Sequence, residues 1–476
     1  ACIANRVSRV LDSPFFLNPG IAYSASPIGW MGSRPPATAA AVAAATTATA
    51  DAPPPQPPTC DEASPNATDA AYADDAAAPP LPPPSWPSHY TQIARVPYGD
   101  GEQATLDVLA GYIEREEPVV LEGSDVVDPE NWEDDGKVAA LLGSRTVLVK
   151  RSGSSRFRYW ATPTEYRRSP LSPGNDGPQA GEGGPAVFDF EPPTHEEELT
   201  FGEFQREAAR LVASASSERM YLQETLSGHA EMVDEFRSWN WRFLLQNARR
   251  HGWGVPDANE LFIGMRGAET DAHFDERHNL FFQVRGTKQL LLFPFVEYER
   301  LYPFPVTHPC DRQSMVNVVS PDHATFPAFG GAAGRHATLR PRDLVFIPFG
   351  WWHWLRNDDA LAVSISFWSM SPPTDLSGGV PDAFSAHELT RVKRNLEKHM
   401  ASRFGARFPQ RMRMLLRLVD RSAANNVECP DATVEQVLAE ARALLVAVKV
   451  ADPAAQDDFL RSMLRVRFEP GWQAHV

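Results

Sequence analysis

Two histidines and an aspartate in the second half of the chain are of the types that hold a catalytic metal ion. His273 and Asp275 stand two positions apart, and His353 follows in the aromatic run Phe349-Gly-Trp-Trp-His-Trp. Two imidazoles and one carboxylate form the facial ligand set that leaves positions on a non-haem iron(II) ion open for cosubstrate and oxygen. Lys288, thirteen positions after Asp275, adds a cation to an apolar run, where it needs an anionic partner.

A β-strand can position the first pair of ligands, because residues i and i+2 project from the same face of a strand. His273 and Asp275 can then converge on one ion while Phe274 points to the other side. His353 lies 78 residues beyond Asp275, so it reaches the ion only if the chain folds back over the first strand. The β-rich run Asp343-Leu-Val-Phe-Ile-Pro-Phe predicts the returning strand.

Each of these residues also has an ordinary structural interpretation. A His-x-Asp triplet is expected about once by chance in a chain of this composition. His353 stands among three tryptophans, and such a histidine is by default part of a packed aromatic cluster. Lys288 could be a snorkelling lysine at a strand edge. It is the combination of triplet, lysine and late histidine that favours a metal site with an anionic partner for Lys288.

Five longer segments resemble a known family. They are Leu261-Phe-Ile-Gly-Met-Arg-Gly, Ala272-His-Phe-Asp-Glu, Asn279-Leu-Phe-Phe-Gln-Val-Arg-Gly-Thr-Lys, Leu301-Tyr-Pro-Phe-Pro-Val-Thr-His-Pro-Cys-Asp-Arg-Gln-Ser and Ile347-Pro-Phe-Gly-Trp-Trp-His. These segments resemble the asparaginyl hydroxylases of the factor-inhibiting-HIF type, in the JmjC branch of the 2-oxoglutarate oxygenases. The resemblance extends from about Leu106 to Met400. The segment from Leu301 is the most specific, because iron binding does not require its residues.

The resemblance implies a role for each matching residue. His273, Asp275 and His353 would ligate Fe(II), and oxygen would be the second substrate. The residues that would contact 2-oxoglutarate are Lys288, Thr270 and Tyr221 at its distal carboxylate and Asn279 at its iron-chelating end; a cation with two hydroxyl donors suits a carboxylate held inside a barrel. The residues that would contact a peptide substrate or wall its pocket are Gln223, Arg312, Gln313, Tyr159 and Trp368.

One position near the expected iron site departs from the family pattern. The family has a second asparagine before a Phe-Trp pair, where this chain has Ser366. A serine offers one rotatable hydroxyl in place of the donors and acceptor of an amide. The segment between His353 and Phe367 is also about two residues shorter than in the family. The resemblance implies that Ser366 takes the place of this asparagine beside the cosubstrate, so both changes could alter oxygen reactivity or cosubstrate affinity, but neither removes a ligand.

The pattern along the chain predicts a mainly β fold with flanking helices. The resemblance implies that its core is the double-stranded β-helix, or jelly-roll, of JmjC and cupin proteins. We expect residues 1–85, rich in alanine and proline, to be disordered, and residues 86–375 to form the oxygenase domain. Residues 376–476 show apolar residues at helical spacing and predict a C-terminal helical region. The resemblance implies that this region forms a homodimer.

Shorter patterns predict individual elements. Apolar positions from Leu106 to Ile113 predict a helix and Pro118-Val-Val-Leu a strand. Thr200-Phe-Gly-Glu is a capping box that opens a further helix. The Gly/Pro-rich segment 168–193 predicts a surface insertion. For the substrate pocket we expect an apolar lining by Phe281, Leu290, Phe346 and Trp368.

Composition narrows the class of protein and its partners. The net charge of −16 disfavours a nucleic acid as the main partner, and four cysteines without C-x-x-C spacing argue against a disulfide scaffold and a zinc site. The sequence contains no uninterrupted run of 18 apolar residues, so it does not predict a membrane-spanning helix. We expect a cytoplasmic or nuclear protein. The first 50 residues, with Arg6, Arg9 and Arg34 against one acid, faintly resemble an organellar targeting segment.

Three hypotheses about function follow. The first is asparaginyl β-hydroxylation of a partner protein, such as an ankyrin-repeat protein or a transcription factor, with succinate and CO₂ as coproducts. The second is a JmjC enzyme with a different outcome, a histidyl hydroxylase or a lysine demethylase. The third is a catalytically silent cupin-like module that binds partners through its helical tail.

Overall fold

Two large β-sheets and a set of helices make up the protein. The computed structural model describes residues 81–99, 102–160, 191–226, 232–256, 258–370, 384–421 and 431–468. The strands are β1 Thr91–Gln92, β2 Ala94–Pro97, β3 Val119–Glu122, β4 Thr146–Ser152, β5 Arg156–Phe157, β6 Thr194–Thr200, β7 Arg219–Thr225, β8 Ala258–Met265, β9 Glu269–Phe274, β10 His278–Arg285, β11 Lys288–Phe293, β12 Arg335–Leu339, β13 Leu344–Ile347, β14 Trp352–Asn357 and β15 Leu361–Ser369.

Helices lie before, between and after the strands. The α-helices are α1 Glu102–Glu114, α2 Asp135–Leu142, α3 Phe201–Ala213, α4 Val233–Ser238, α5 Trp241–Arg250, α6 Ala386–Phe404, α7 Phe408–Arg421, α8 Ala432–Ala447 and α9 Pro453–Phe468. None of the described helices combines the length and the apolar composition needed to cross a bilayer.

The two sheets face each other across a shared core. Their strand orders are β1-β12-β11-β14-β9-β5 and β2-β3-β13-β10-β15-β8-β7-β4-β6. Leu290 and Leu355 of the smaller sheet pack in the same core cluster as Ile263 and Phe281 of the larger sheet. This is the layout of a jelly-roll. The prediction of a mainly β fold with flanking helices is therefore confirmed.

Alternation along the strands of the smaller sheet separates two apolar clusters. On β11, Leu290 and Leu292 face the core between the sheets, whereas Leu291 and Phe293 face a second cluster. Phe274 belongs to that second cluster. It therefore points away from the inter-sheet core, as the strand alternation around His273 predicts.

The C-terminal helices form a core of their own. Apolar residues of α6, α7, α8 and α9 make one cluster, which Val306 of the β-domain joins. An ion pair between Arg467 and Glu397, with 2.7 Å between NH2 and Oε2, is buried among these helices. The sequence patterns predict α6, α7 and α8, but they do not predict α9.

The shorter patterns agree with the structure where the structure describes them. The helix predicted from Leu106 is α1, the strand after Pro118 is β3 and the run after Asp343 contains β13. Thr200 caps α3, and Glu203 completes the capping box. Residues 1–80, residues 371–383 at the predicted boundary of the helical region, and residues 168–190 of the predicted insertion lie outside the described residues.

Candidate metal centre

The register of two strands brings the three candidate ligands together. His273 on β9 pairs directly with His353 on β14, and their ring centroids are 4.0 Å apart. Asp275 follows the last residue of β9, so it lies one position beyond the strand predicted to carry it. Ligand atoms of the three residues all lie within 4.8 Å of one another. Only 6, 4 and 4 % of His273, Asp275 and His353 are exposed.

Backbone carbonyls set the orientation of both imidazoles. His273 Nδ1 lies 2.9 Å from the carbonyl oxygen of Asp271, and His353 Nδ1 lies 3.0 Å from that of Trp351. A ring that donates from Nδ1 carries its lone pair on Nε2, which makes Nε2 the ligating atom. Burial, and then the nearby His353, lower the pKa of His273 to about 3. The imidazole is therefore neutral, as a metal ligand must be.

Asp275 supplies a carboxylate in which only one oxygen accepts a hydrogen bond among the described residues. Its Oδ2 accepts a hydrogen bond of 3.1 Å from Trp368 Nε1 and lies 3.7 Å from His353 Nε2. Its Oδ1 is buried and has no hydrogen-bond partner among the described residues. Burial raises the pKa of Asp275, but His353, His273 and Arg312 together outweigh burial and lower it. An ionised carboxylate with an unsatisfied oxygen beside two imidazoles fits a divalent iron ion.

A cavity opens next to these three residues. Together with the solvent-filled space at its mouth, it comprises about 500 Å³ without atoms. It is lined by Tyr159, Tyr221, Gln223, Phe262, Thr270, His273, Asp275, Asn279, Phe281, Ile347, His353, Leu355, Ser366 and Trp368. Phe281 and Trp368 line it as expected. Leu290 and Phe346 belong to the same core cluster as Phe281 and Trp368, but they are not among the residues that line the cavity.

Lys288 lies behind the aromatic wall of this cavity. Its side chain is 1 % exposed, with Nζ 5.2 Å from the ring centroid of Phe281 and 5.8 Å from that of Tyr221. Burial lowers the pKa of Lys288 to about 7, and no carboxylate of the described residues forms an ion pair with it. A snorkelling lysine would keep its ammonium group in water. The position therefore excludes that interpretation and suits an incoming anion.

Two tyrosines share a hydroxyl partner near Lys288. Thr270, on β9, hydrogen-bonds to the side chains of both Tyr159 and Tyr221. Burial raises the pKa of each tyrosine well above its ordinary range, so both hydroxyls keep their protons. Thr270 and Tyr221 thus place hydroxyl groups in the lining of the cavity, and the Tyr221 ring lies 5.8 Å from Lys288 Nζ.

Asn279 and Ser366 form a pair across adjacent strands. Asn279 Nδ2 donates a hydrogen bond of 3.2 Å to Ser366 Oγ. Asn279 Oδ1 is buried without a partner among the described residues. The hydroxyl of Ser366 therefore fixes the orientation of the Asn279 amide. A serine carries no amide group, so the cavity lacks the second amide that an asparagine at this position would add.

The residues expected to contact a peptide substrate divide into two sets. Gln223, Tyr159 and Trp368 line the cavity, and Gln223 Oε1 has no partner among the described residues. Gln313 does not line it. Its amide accepts from Tyr159 N at 3.0 Å and donates to Tyr159 O, so it holds the backbone of a lining residue. Arg312 NH1 lies 3.8 Å from Asp275 Oδ1.

Sequence reasoning missed the groups that surround the ligands. Asp271, one step before His273 on the same strand face, accepts hydrogen bonds from Arg156 at 2.7 and 2.9 Å. Its alternation with His273 and Asp275 was a local signal that could have identified it. The contact of Trp368 with Asp275 depends on strands far apart in sequence, so no local pattern indicates it.

Glu260 was also missed, and its side chain hydrogen-bonds to Gln223, which lines the cavity. It pairs in register with Ser366 on β15 and accepts a hydrogen bond of 2.5 Å from Thr225 Oγ1. Burial raises its pKa to about 7. An acidic residue in a strand of apolar neighbours is the only sequence signal, and it does not reveal which face the side chain occupies.

Comparison with known proteins identifies relatives of this chain. A family model described as "Cupin-like domain" matches residues 105–375. HSPB1-associated protein 1 of Homo sapiens is 38% identical over 133 residues, or 26% of this chain and 27% of that protein. Lysine-specific demethylase 8 of Xenopus tropicalis is 37% identical over 109 residues, or 22% and 24% of the two chains. Lysine-specific demethylase JMJ31 of Arabidopsis thaliana is 30% identical over 131 residues, or 27% and 23%. The matches span about a quarter of each relative's length.

Proposed function

The chain belongs to the cupin-like domain family, and we propose that it is an Fe(II)- and 2-oxoglutarate-dependent oxygenase that hydroxylates a protein. The observation that carries the proposal is the convergence of the buried residues His273, Asp275 and His353 in the lining of one cavity. The unsatisfied Oδ1 of Asp275 and the orientation of both imidazoles support the metal. Relatives named as lysine demethylases support the same broad class of chemistry.

Lys288 supports 2-oxoglutarate as the cosubstrate. A buried ammonium group without an anionic partner is costly, and a carboxylate removes that cost. Thr270 and Tyr221 would donate hydroxyl hydrogen bonds to the same distal carboxylate, and Asn279, held by Ser366, would lie near its chelating end. When bound, iron would let O₂ oxidise 2-oxoglutarate to succinate and CO₂, with one oxygen atom of O₂ entering succinate and the other forming the hydroxyl group on a substrate C–H.

The protein's own residues orient the reactants and exclude water. Trp368 fixes Asp275 through one carboxylate oxygen and leaves the other for the ion. The rings of Phe262, Phe281 and Trp368 line the cavity, and an apolar wall keeps water from the reacting centre. Metal ligands in a fixed orientation and an apolar lining that excludes water would together hold a target C–H near the oxidant.

For the finer outcome we propose asparaginyl β-hydroxylation. Gln223 supports it, because its unpartnered amide oxygen lies in the cavity and can accept from the amide of a target asparagine. The substrate would be a segment of a partner protein, an ankyrin-repeat protein or a transcription factor, met in the cytoplasm or nucleus. A homodimer formed through the C-terminal helices is part of the same proposal.

Lysine demethylation is the second candidate, and the names of two relatives favour it. The same oxidant acting on an N-methyl carbon would release formaldehyde, whereas hydroxylation of asparagine retains the new oxygen. Formaldehyde release and a loss of 14 Da per methyl group would therefore mark this outcome. A gain of 16 Da on asparagine would mark the first.

The decisive experiment reconstitutes the metal-free protein anaerobically. Fe(II) and 2-oxoglutarate are added, oxygen is admitted with candidate peptides, and succinate and peptide masses are measured. We expect succinate formation that depends on peptide. His273→Ala should abolish it by removing a ligand, whereas His195→Ala, which removes an exposed histidine of β6, should not. A wild-type protein that binds neither Fe(II) nor 2-oxoglutarate would instead support the silent binding module.

A further inference from the structure

Helix α6 presents buried charges to the loops around the metal centre. Arg394 and Lys398 lie one helical turn apart and are 3 and 8 % exposed. Charged side chains are rarely buried unless they are paired. The residues that pair with Arg394 and Lys398 therefore indicate the structural role of this face of the helix.

Arg394 contacts three residues of the β-domain. Its Nε donates to Glu276 Oε1 at 2.6 Å. Its NH1 and NH2 donate to the two carboxylate oxygens of Asp311 at 2.9 and 2.7 Å. Its guanidinium lies 5.1 Å from the ring centroid of Phe274. Lys398 Nζ adds a second contact to Glu276 Oε1 at 2.7 Å.

These contacted residues adjoin the candidate ligand Asp275 and its neighbour Arg312. Phe274 and Glu276 stand on either side of Asp275 in the sequence. Asp311 precedes Arg312 and accepts from its backbone N–H at 2.8 Å.

The same two segments are also tied to each other. Phe274 N donates to the carbonyl of Arg312 at 3.1 Å, and Arg312 has a positive φ of 67°, a strained conformation for a residue with a side chain. One guanidinium thus spans both segments that place groups at the metal centre.

We infer that Arg394 is a positioning residue of the metal centre, which acts through Glu276 and Asp311 to fix Asp275 and Arg312. The inference rests on the metal site of the proposed function but not on its substrate. Through Arg394 the C-terminal helical region holds the ligand loops in place.

The geometry of the contact is specific to arginine. A planar fork with several donors can bind the carboxylate of Asp311 through two bonds and still reach Glu276. A lysine has one ammonium group on a flexible stem and cannot hold both carboxylates in fixed orientation. Arg394→Lys therefore keeps the charge and removes the clamp.

Arg467 offers a matched control. It is 1 % exposed, lies in α9, and pairs with Glu397 at 2.7 Å. It also donates to Tyr298 Oη at 2.8 Å, but it contacts neither Glu276 nor Asp311. Arg467→Lys therefore perturbs an equally buried ion pair of the same helical region without removing a contact to Glu276 or Asp311.

The test titrates Co(II) into the metal-free proteins and follows the visible d–d absorption, which reports the geometry of the ligands. Loss of an outer-shell partner commonly weakens metal binding by about 10- to 100-fold. We expect Arg394→Lys to weaken Co(II) binding by about tenfold and to change the absorption bands. Arg467→Lys should keep the wild-type Co(II) affinity and absorption bands, even if its melting temperature falls as much as that of Arg394→Lys.

The outcomes separate this inference from the proposed function. Wild-type bands and affinity in folded Arg394→Lys overturn the positioning role while leaving the metal site intact. Equal spectral changes in both variants show a general loss of stability and overturn it as well. Failure of the wild-type protein to bind Co(II) or Fe(II) refutes the site itself. If Arg394→Lys does not fold, Asp311→Asn removes the ionic half of the same contact and is subject to the same criteria.

Discussion

Replacement of Lys288 by methionine should raise the stability of the ligand-free protein and weaken its binding of 2-oxoglutarate. Methionine matches the length of the apolar stem and removes the ammonium group. The surroundings of Lys288 favour this exchange, because the rings of Phe281 and Tyr221 lie beside Nζ and no carboxylate pairs with it among the described residues.

The magnitude follows from burial of the charge. A fall of the pKa of Lys288 from 10.5 to about 7 corresponds to roughly 4 to 5 kcal/mol against the charged form. Relaxation of the protein and water penetration around the charge reduce this cost, so we expect a gain of about 1 to 3 kcal/mol in unfolding free energy for Lys288→Met at pH 7. Loss of a charged hydrogen bond of about 1.5 to 3 kcal/mol should weaken 2-oxoglutarate binding about 10- to 100-fold.

The pH dependence has a definite sign. The pKa of Lys288 is lower in the folded protein than in the unfolded chain, so between about pH 7 and 10.5 the unfolded chain binds more protons. The stability of the ligand-free protein therefore gains a contribution that rises with pH in this window, and Lys288→Met removes that contribution. Binding of a dicarboxylate restores the charge, so it should take up a proton above about pH 7.

Calorimetry and chemical denaturation measure these quantities directly. Titration calorimetry of 2-oxoglutarate with the metal-loaded, anaerobic protein, in buffers of different ionisation enthalpy, gives both affinity and proton uptake. Urea denaturation gives the unfolding free energy of both proteins. Unchanged 2-oxoglutarate affinity in Lys288→Met would refute the anion site, and a large loss of stability would refute the reasoning from burial.

Three further predictions concern neighbours of the metal centre. Trp368→Phe keeps an aromatic ring in the cavity wall but removes the hydrogen bond to Asp275. We expect metal affinity, measured by Co(II) titration, to fall about tenfold. Unchanged affinity would show that this hydrogen bond does not orient the ligand. Burial raises the pKa of Glu260 to about 7, so its contribution to stability falls as pH rises between about 4.5 and 7. Glu260→Gln should therefore stabilise the protein at pH 8 and leave its stability unchanged at pH 4. Parallel curves of unfolding free energy against pH for the two proteins would count against this. Ser366→Ala leaves the Asn279 amide without its acceptor; the unfolding free energy should drop by about 1 to 2 kcal/mol, while an increase would mean that the hydroxyl is itself poorly satisfied.

The ligand candidates and the strand-forming segments were predictable because their signals are local. Alternation on a strand places His273 opposite to Phe274, and the apolar run after Asp343 forms a strand whatever it later pairs with. The capping box at Thr200 works in the same way, because its hydrogen bonds close within one helical turn. The helical spacing in the C-terminal region likewise predicted three of its four helices.

By itself, the sequence determined which residue types were present and which strands and helices they could form. Only the tertiary structure decided that His353 pairs with His273, that Gln313 supports Tyr159 instead of lining the cavity, and that Arg394 reaches the ligand loops from the helical region. The physical reason is register: a shift of one residue in the pairing of β14 with β9 would turn one histidine to the opposite face. That register depends on packing between segments far apart in the chain, which no local pattern encodes.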